Sequence, residues 1–539
     1  MEEAQHVEEL PVCRICLEEA TASDALVSPC ACRGSSGCIH RTCLKQWHES
    51  LGSPGGLVCP TCKQAYFGEA AAELARMNLD KILQSERPDG MALATALNTL
   101  AILLNRLGKH DDAMPLCEWA HAIRAKLLGP EHPEVATSLN NLAALLYSMG
   151  KYSEAVTHFQ HSLAIREKAL GPEHPEVAES LNNLAVLLTH QGRNDEALEI
   201  YQRSLYIREK LLGREHPDIA TTLNNLAVLL KDQGKPAEAK RHHERALAIR
   251  SKVLGSHHPD VATSLNNLAV LLKDQGKFDE AEPLYQCSLE IDEKVYGPNH
   301  PEVALDCNNL AVMLKEQGKY EAAQLYHQRA LAIREEVLGP KHPDTATSLL
   351  NLAGLYDAQD KFCEAEKLYR RSLAIREEVL GPRHPKLANL ATGLAKLLTR
   401  VGRSEEAVPL LELCVQIQEA THGEHHQSVA TSLNFLANIL MHLGRLKEAK
   451  ALFTRSYAID AAFRQPSDNN DVCTTRPDPS KERVEQPRKL STFMRAGSHL
   501  YQALGGQRCR NPLTRSPKHL GLDRQPLCSG DTQAATTTI

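Results

Sequence analysis

The 539-residue sequence predicts a mainly all-α protein: a superhelix of helix hairpins with a 42-residue period, a small metal-braced domain before it and a disordered tail after it. Three observations predict this. Pro133, Pro175, Pro217, Pro259, Pro301, Pro343 and Pro385 recur every 42 residues. Gly108, Gly150, Gly192, Gly234, Gly276, Gly318, Gly402 and Gly444 keep the same register, with Asp360 in the slot that lacks glycine; such a period marks stacked supersecondary units. Eight Cys and His residues crowd the first 62 positions as Cys13-x2-Cys16-x13-Cys30-x-Cys32-x7-His40-x2-Cys43-x15-Cys59-x2-Cys62. Finally, residues 462–539 are rich in Pro, Ser, Thr, Gly and Arg without apolar period, which reads as a disordered, mildly basic tail.

Composition bounds the class. Hydrophobic content of 42% suffices for packed cores, and 4% aromatics suits helices built from Leu and Ala. A net charge of -6 gives no argument for nucleic acid. Residues 1–12 are acidic, lack an apolar signal region and are expected to be disordered. No run is apolar enough for a transmembrane helix. Sixteen cysteines, half of them within the metal-spaced segment, point to metal rather than disulfides in a chain without a secretion signal, hence to a reducing compartment, and the expected location is cytoplasmic.

The elements follow in order. Thiolate and imidazole suit zinc, which takes four ligands tetrahedrally. Residues 13–67 therefore read as a domain with two structural zinc ions, which offset the small core that about 50 residues can build. Both ligand sets are complete, so no position is open for an activated water and metal catalysis is not expected. Residues 68–90 read as a helical linker. The repeats then run over 91–461 as nine units, the last truncated. In one unit, Val135, Leu139, Leu142, Ala143 and Leu146 share a helical face, and Gly150 ends that helix. Ala155, Phe159 and Leu163 line the second helix, Gly171-Pro172 stops it, and Pro175 with Glu176 opens the next. Ala143 and Ala155, with their equivalents Ala185/Ala197, Ala227/Ala239, Ala269/Ala281 and Ala311/Ala323, sit where the paired helices cross closely.

Leu142, Ala143, Leu146, Ala155 and Phe159 resemble the tetratricopeptide (TPR) pattern. The phrases LNNLAVLLKDQGK and ALAIREEVLGPKHPD resemble the repeats of kinesin light chains and nephrocystin-3-like proteins. The heptad region that would bind a motor heavy chain is missing, so motor-subunit function is not expected. The run CRICLEE…PCACRGSSGCIHRTCLKQW…CPTCKQAYF resembles the RING-CH (MARCH-type) ubiquitin ligases over 13–67. A histone-reading PHD finger shares the ligand order, but the single residue between Cys30 and Cys32 and the Leu57 in place of an aromatic disfavour it.

The RING-CH resemblance implies a cross-brace. Cys13, Cys16, His40 and Cys43 hold one zinc, and Cys30, Cys32, Cys59 and Cys62 hold the other. It implies a ubiquitin-conjugating enzyme, charged with ubiquitin, as partner, docked at Ile15, Trp47 and Pro60. Lys63 takes the linchpin slot, where it lacks the planar donor fork of arginine. The bland alternative is that Ile15 and Trp47 only pack the finger. Cys38, outside the ligand frame, reads as a spare thiol.

Within the TPR resemblance, the first Asn of each Asn-Asn pair (Asn182, Asn224, Asn266 and Asn308) is expected on the floor of a peptide groove, and the second is expected to be structural. Lys231, Lys273 and Lys315 add a ladder of ammonium groups for an acidic extended peptide. The alternative is ordinary solvated charge, offset by Asp232, Asp274 and Glu316. The histidines at 132, 174, 216, 258, 300, 342, 384 and 426 come one per repeat, too far apart to share an ion, and read as loop or capping residues. Ser491 follows two basic residues in the tail and is a weak phosphorylation candidate. The function expected is a soluble E3 ubiquitin ligase whose repeats hold the client. The alternative is a non-enzymatic scaffold or cargo adaptor whose finger only docks proteins.

Overall fold

The structure, a computed structural model, describes residues 12–464 apart from 22, 23, 25, 31, 33–36, 51–56 and 86–88. Residues 1–11 and the tail from 465, with Ser491, lie outside the described residues.

The N-terminal module is built on two knuckles of the same design. In the first, the Leu17 N–H donates to the Cys13 carbonyl (2.8 Å) and the Cys13 N–H to the Glu18 carbonyl (2.8 Å). In the second, the Lys63 N–H donates to the Cys59 carbonyl (2.9 Å) and the Cys59 N–H to the Gln64 carbonyl (2.8 Å). Leu17 and Lys63 take φ of +64° and +58°, the left-handed turn that closes each knuckle. Between them, β1 (Leu26–Val27) pairs antiparallel with β2 (Ile39–His40), Leu26 opposite His40, and α1 (Arg41–Ser50) follows.

Within the expected helical linker, residues Gly68–Leu83 form a helix, α2, that packs on two cores. Its Ala70, Ala71 and Leu74 complete the module's core with Ile39, Leu44 and Tyr66. Its Ala72, Ala75 and Leu79 enter the core of the first hairpin beside Leu93, Leu97 and Leu100. Helical spacing puts two apolar stripes on one short helix, and each stripe finds a different core.

Nine hairpins follow among the described residues. They are α3/α4 (Gly90–Arg106, His110–Leu128), α5/α6 (Pro133–Ser148, Tyr152–Leu170) and α7/α8 (Pro175–His190, Asn194–Leu212). Next come α9/α10 (Pro217–Asp232, Pro236–Leu254), α11/α12 (Pro259–Asp274, Phe278–Tyr296) and α13/α14 (Pro301–Glu316, Tyr320–Val337). The last are α15/α16 (Pro343–Ala358, Phe362–Leu380), α17/α18 (Lys386–Arg400, Ser404–His422) and α19/α20 (Gln427–His442, Leu446–Arg464). The ninth is not truncated: both its helices are full length, and α20 runs three residues past the expected end of the array.

Seven of the eight periodic histidines are N-caps, and His384 stands one residue before the cap Pro385. Each Nδ1 accepts the backbone N–H two residues on, at 3.0–3.3 Å, from Glu134 to Ser428. This satisfies an orphan donor of the first turn. Asp360 holds φ +59° in the slot filled elsewhere by glycine. The paired alanines at the helix crossings, such as Ala227 and Ala239, are fully buried. Phe159, Tyr201, His243, Tyr285, His327 and Tyr369 share one slot of the second helices and are all buried. The two histidines there donate from Nδ1 to Asn224 Oδ1 and Asn308 Oδ1, both at 2.9 Å.

Burial brings His243 and His327 down to about 3, with Lys231 and Lys315 adding to the shift. Burial, with Lys386 nearby, brings His384 to about 3 and His110 to about 4. These bases are neutral in the fold, while the unfolded chain protonates them below about 6.5. The unfolded state thus binds more protons in that window, and stability falls as pH falls. The array is expected to lose helix progressively from about pH 6.5 toward pH 3–4, followed by far-UV circular dichroism during urea titration. A flat profile across that window would show the four rings to be accessible.

Candidate metal centres and binding surfaces

Folding brings the eight spaced ligands into two sets of four. Cys13, Cys16, His40 and Cys43 place one donor atom each within 4.8 Å of one another, and so do Cys30, Cys32, Cys59 and Cys62. This is the cross-brace expected from the sequence. Each knuckle supplies one set with two cysteines, and β2 with the start of α1 supplies His40 and Cys43. His40 Nδ1 faces Cys16 Sγ at 3.2 Å, while its Nε2 donates to the Glu19 carbonyl at 3.0 Å. That outer bond fixes the tautomer and leaves Nδ1 as the ligand.

The donor chemistry fits zinc. Burial pushes the Cys13 thiol up, but backbone N–H groups of Cys16, His40 and Ile15 outweigh it and hold the thiol down at about 6. At Cys59, burial is likewise outweighed, by backbone N–H groups of Cys62 and Thr61 and by the neighbouring thiols, again to about 6. Each set therefore has one thiol ready as thiolate. Burial drives Cys30 up, and burial with the neighbouring thiols drives Cys43 up to about 12. The two sets of four ligands fit two zinc ions, which when bound hold the remaining sulphurs as thiolates and join the knuckles. All four donors of each set converge, so the sites are closed and structural.

Arg14 is a functional residue that the motif alone does not reveal. It sits between the first two ligands, yet its guanidinium reaches the other set, 3.9 Å from Cys30 Sγ and 3.8 Å from Cys59 Sγ. A four-thiolate zinc site carries a net double negative charge, and a guanidinium against two of its sulphurs offsets part of it.

The expected docking residues divide. Ile15 is 45% exposed and Pro60 is exposed, both on knuckle tips. Trp47 is half-buried and packs against the module's core. Leu17 (74% exposed) and Val58 (43%) are also exposed apolar residues beside or near ligands, and the sequence reading missed both. Their signal was an apolar residue flanking a ligand on a domain with little core to spare. Lys63 is exposed. Cys38 lies against Ser28 Oγ at 3.8 Å, outside both ligand sets.

In the array, the first asparagine of each pair is buried in the wall of hairpins. Asn182, Asn224, Asn266 and Asn308 are only 2–4% exposed. Asn224 donates to Ser264 Oγ (3.2 Å) and Asn308 to Ser348 Oγ (2.8 Å), tying each hairpin to the next. Asn182 and Asn266 accept from Asn225 and Asn309 at 3.2 and 3.1 Å. These amides are consumed inside the wall and do not floor a groove. The second position is the less buried one at Asn141, Asn225 and Asn267. It lies one residue, about 100°, further round the helix, and at Asn183 and Asn309 it is buried as well.

The lysine ladder also pairs along the array. Lys231 meets Asp274 of the next hairpin at 3.1 Å, and Lys273 meets Asp274 (2.9 Å) and Glu316 (3.5 Å). Lys315 is lowered by burial, against the pull of Glu316 and Asp357. Lys231 and Lys273 are thus paired with acids of their own and the next hairpin, with the Lys273 side chain only 10% exposed.

Comparison with known proteins accords with this architecture. A family model described as a tetratricopeptide repeat matches residues 92–168, 134–210, 176–252, 218–294, 260–335, 304–378, 358–420 and 386–462. One described as a RING-variant domain matches residues 13–62. The chain is similar to E3 ubiquitin-protein ligase MARCHF3 of Xenopus tropicalis, 45% identical over 58 residues that make up 11% of this chain and 22% of the relative. It is also similar to E3 ubiquitin-protein ligase MARCHF8 of Bos taurus, 28% identical over 120 residues, 20% of this chain and 40% of the relative. The chain thus spans about a fifth of the MARCHF3 relative's length. Among solved structures, a Podosopora anserina putative kinesin light chain with nearly identical TPR-like repeats is 31% identical, covering 39% of this chain and 98% of that one, with a TM-score of 0.33. Among the described residues, no helix is long and apolar enough to cross a membrane.

Proposed function

The chain belongs to the tetratricopeptide-repeat family, and from that premise and its RING-variant module we propose that it is an E3 ubiquitin ligase whose zinc module docks a ubiquitin-conjugating enzyme while the repeats hold the client. The observation that carries this reading is the exposure of the apolar residues Ile15, Leu17, Val58 and Pro60 on the two knuckles of a module similar to ubiquitin ligases. Exposed aliphatic side chains on so small a domain have no core to join and are positioned for a partner. No covalent step falls on this chain. The thioester belongs to the conjugating enzyme and the nucleophile is a client lysine, so the ligase supplies proximity and orientation. Lys63, exposed on the second knuckle, would contact the charged ubiquitin as a point charge.

The client is an extended peptide on the inner face of the array. The pairing around Lys231 and Lys273 leaves little unbalanced positive charge by which to prefer an acidic one.

Purified full-length protein, tested for autoubiquitination across a panel of conjugating enzymes, decides between this reading and the adaptor. Wild type is expected to build chains with at least one enzyme. Ile15→Ala and Leu17→Asp are expected to lose more than about tenfold of that rate, the equivalent of ~1.4 kcal/mol of docking, with zinc content unchanged. Chain formation by neither wild type nor variants with any enzyme would leave the adaptor reading.

A further inference from the structure

The array winds back on itself. The Nε2–H of His342, at the start of α15, donates to the Arg106 carbonyl at the end of α3 (2.9 Å), 236 residues earlier. His384, at the start of α17, makes the same bond to the Ser148 carbonyl at the end of α5 (3.1 Å), again across 236 residues. The glycines beside those carbonyls are close to the partner turn. A Cβ on Gly108 would lie 2.8 Å from Pro343 Cδ, one on Gly150 2.6 Å from Pro385 Cδ, and one on Gly192 3.1 Å from His426 Nε2. Hairpins one to three thus sit end-on against hairpins seven to nine. Carbonyls that lack intrahelical partners meet ring N–H donors, and the negative ends of α3 and α5 face the positive ends of α15 and α17.

The zinc module joins the same series one step earlier. Phe67, the residue before α2, sets its ring edge-on to His300 with centroids 4.7 Å apart, and His300 stacks on Tyr296 at 4.4 Å. A Cβ on Gly68 would lie 3.4 Å from the Val337 carbonyl oxygen. The module is therefore held on one side through α2 and the first hairpin and on the other by hairpin six. Curvature of such a solenoid is the sum of small rotations between repeats, so a change in one hairpin interface shifts the axial register of the turns.

We propose that this axial seam is a latch that couples the curvature of the repeat array to the position of the zinc module, through the seating of Phe67 on His300 and Tyr296. A closed seam fixes the module against hairpin six; an opened seam frees it. The latch concerns the chain's own geometry and holds whether or not the module recruits a conjugating enzyme.

Two substitutions separate the seam from ordinary backbone strain. Gly150→Ala and Gly234→Ala both place alanine at a left-handed φ, +74° and +77°, but only the first meets the opposing turn; nothing lies within 4 Å of a Cβ on Gly234. Small-angle scattering of the full chain is expected to show a larger radius of gyration for Gly150→Ala than for Gly234→Ala. Hydrogen exchange is expected to rise several-fold at residues 64–70 and 296–304 in Gly150→Ala alone, far from the substitution. Equal radii for the two variants would overturn the seam. A larger radius with unchanged exchange at both segments would overturn its coupling to the module. If Gly150→Ala does not accumulate, Gly192→Ala, which opposes a movable imidazole, serves in its place.

Discussion

Removing zinc from the full-length chain is expected to melt residues 13–67 together with the first half of α2 and to leave the repeat array helical. The module's core is Ile39, Leu44, Tyr66 and the ligand cysteines, closed by Ala70, Ala71 and Leu74 of α2. So small a core does not hold two knuckles without metal; structural zinc supplies roughly 10–16 kcal/mol of apparent binding energy per site in small finger peptides. The hairpins, by contrast, have their own continuous apolar clusters from Leu93 to Leu440 that contain no ligand. A strong chelator should release two zinc ions per chain, read with a colorimetric indicator. Hydrogen exchange should then rise at 13–74 and remain slow in α5 to α18. Cys59→Ser should reproduce the loss at the four-cysteine set. Loss of helix throughout the array on chelation would contradict the division into two stability units.

Arg250→Met is expected to cost about 2–4 kcal/mol at the junction between the fourth and fifth hairpins. Arg250 is 6% exposed and donates to the Asp260 carbonyl (2.9 Å), Ser264 Oγ (3.0 Å) and Thr221 Oγ1 (3.0 Å). Arg166, Arg208 and Arg334 repeat the first two bonds, each to the hairpin that follows its own. Methionine fills the volume but leaves the hydroxyls and the carbonyl without this donor. Lysine should not rescue, since one ammonium cannot span three acceptors held by a planar fork. Because repeat arrays depart from two-state unfolding, the loss is best read locally. Exchange at α9, α10 and α11 should rise well before the ends of the array respond. An unchanged urea midpoint together with unchanged local exchange would show that the strut is dispensable. Hairpin five has Asp292 in this slot, opposite Asp306 where its neighbours have Ser or Thr, so the arginine bracing is interrupted there.

The legible features were those fixed by local chemistry. Histidine before Pro and an acidic or small residue reads as a cap because Nδ1 reaches the N–H two residues ahead wherever that turn forms. Asp360 could be placed in a glycine slot because the period, not the residue, demands a positive φ there. The burial of the first asparagines was not legible. Asn224 and Asn225 are adjacent on a helix, and the pattern alone does not say which of them the next hairpin covers; the bond from Asn224 to Ser264 does. Arg250 was passed over for a similar reason: an arginine near the end of an exposed helix reads as solvated until the following hairpin buries it.

By itself, the sequence determined the zinc frame, its pairing by resemblance, the nine-hairpin period and the caps, because ligand spacing, helical periodicity and turn chemistry act over a few residues. Only the tertiary structure decided that α2 is a shared core element rather than a tether, that Arg14 crosses to the other metal set, and that Lys231 and Lys273 are paired. It alone decided that the ends of α3 and α5 meet helices 236 residues away. Those outcomes depend on the summed rotation of successive hairpins, a small angle per repeat that no single repeat's sequence displays.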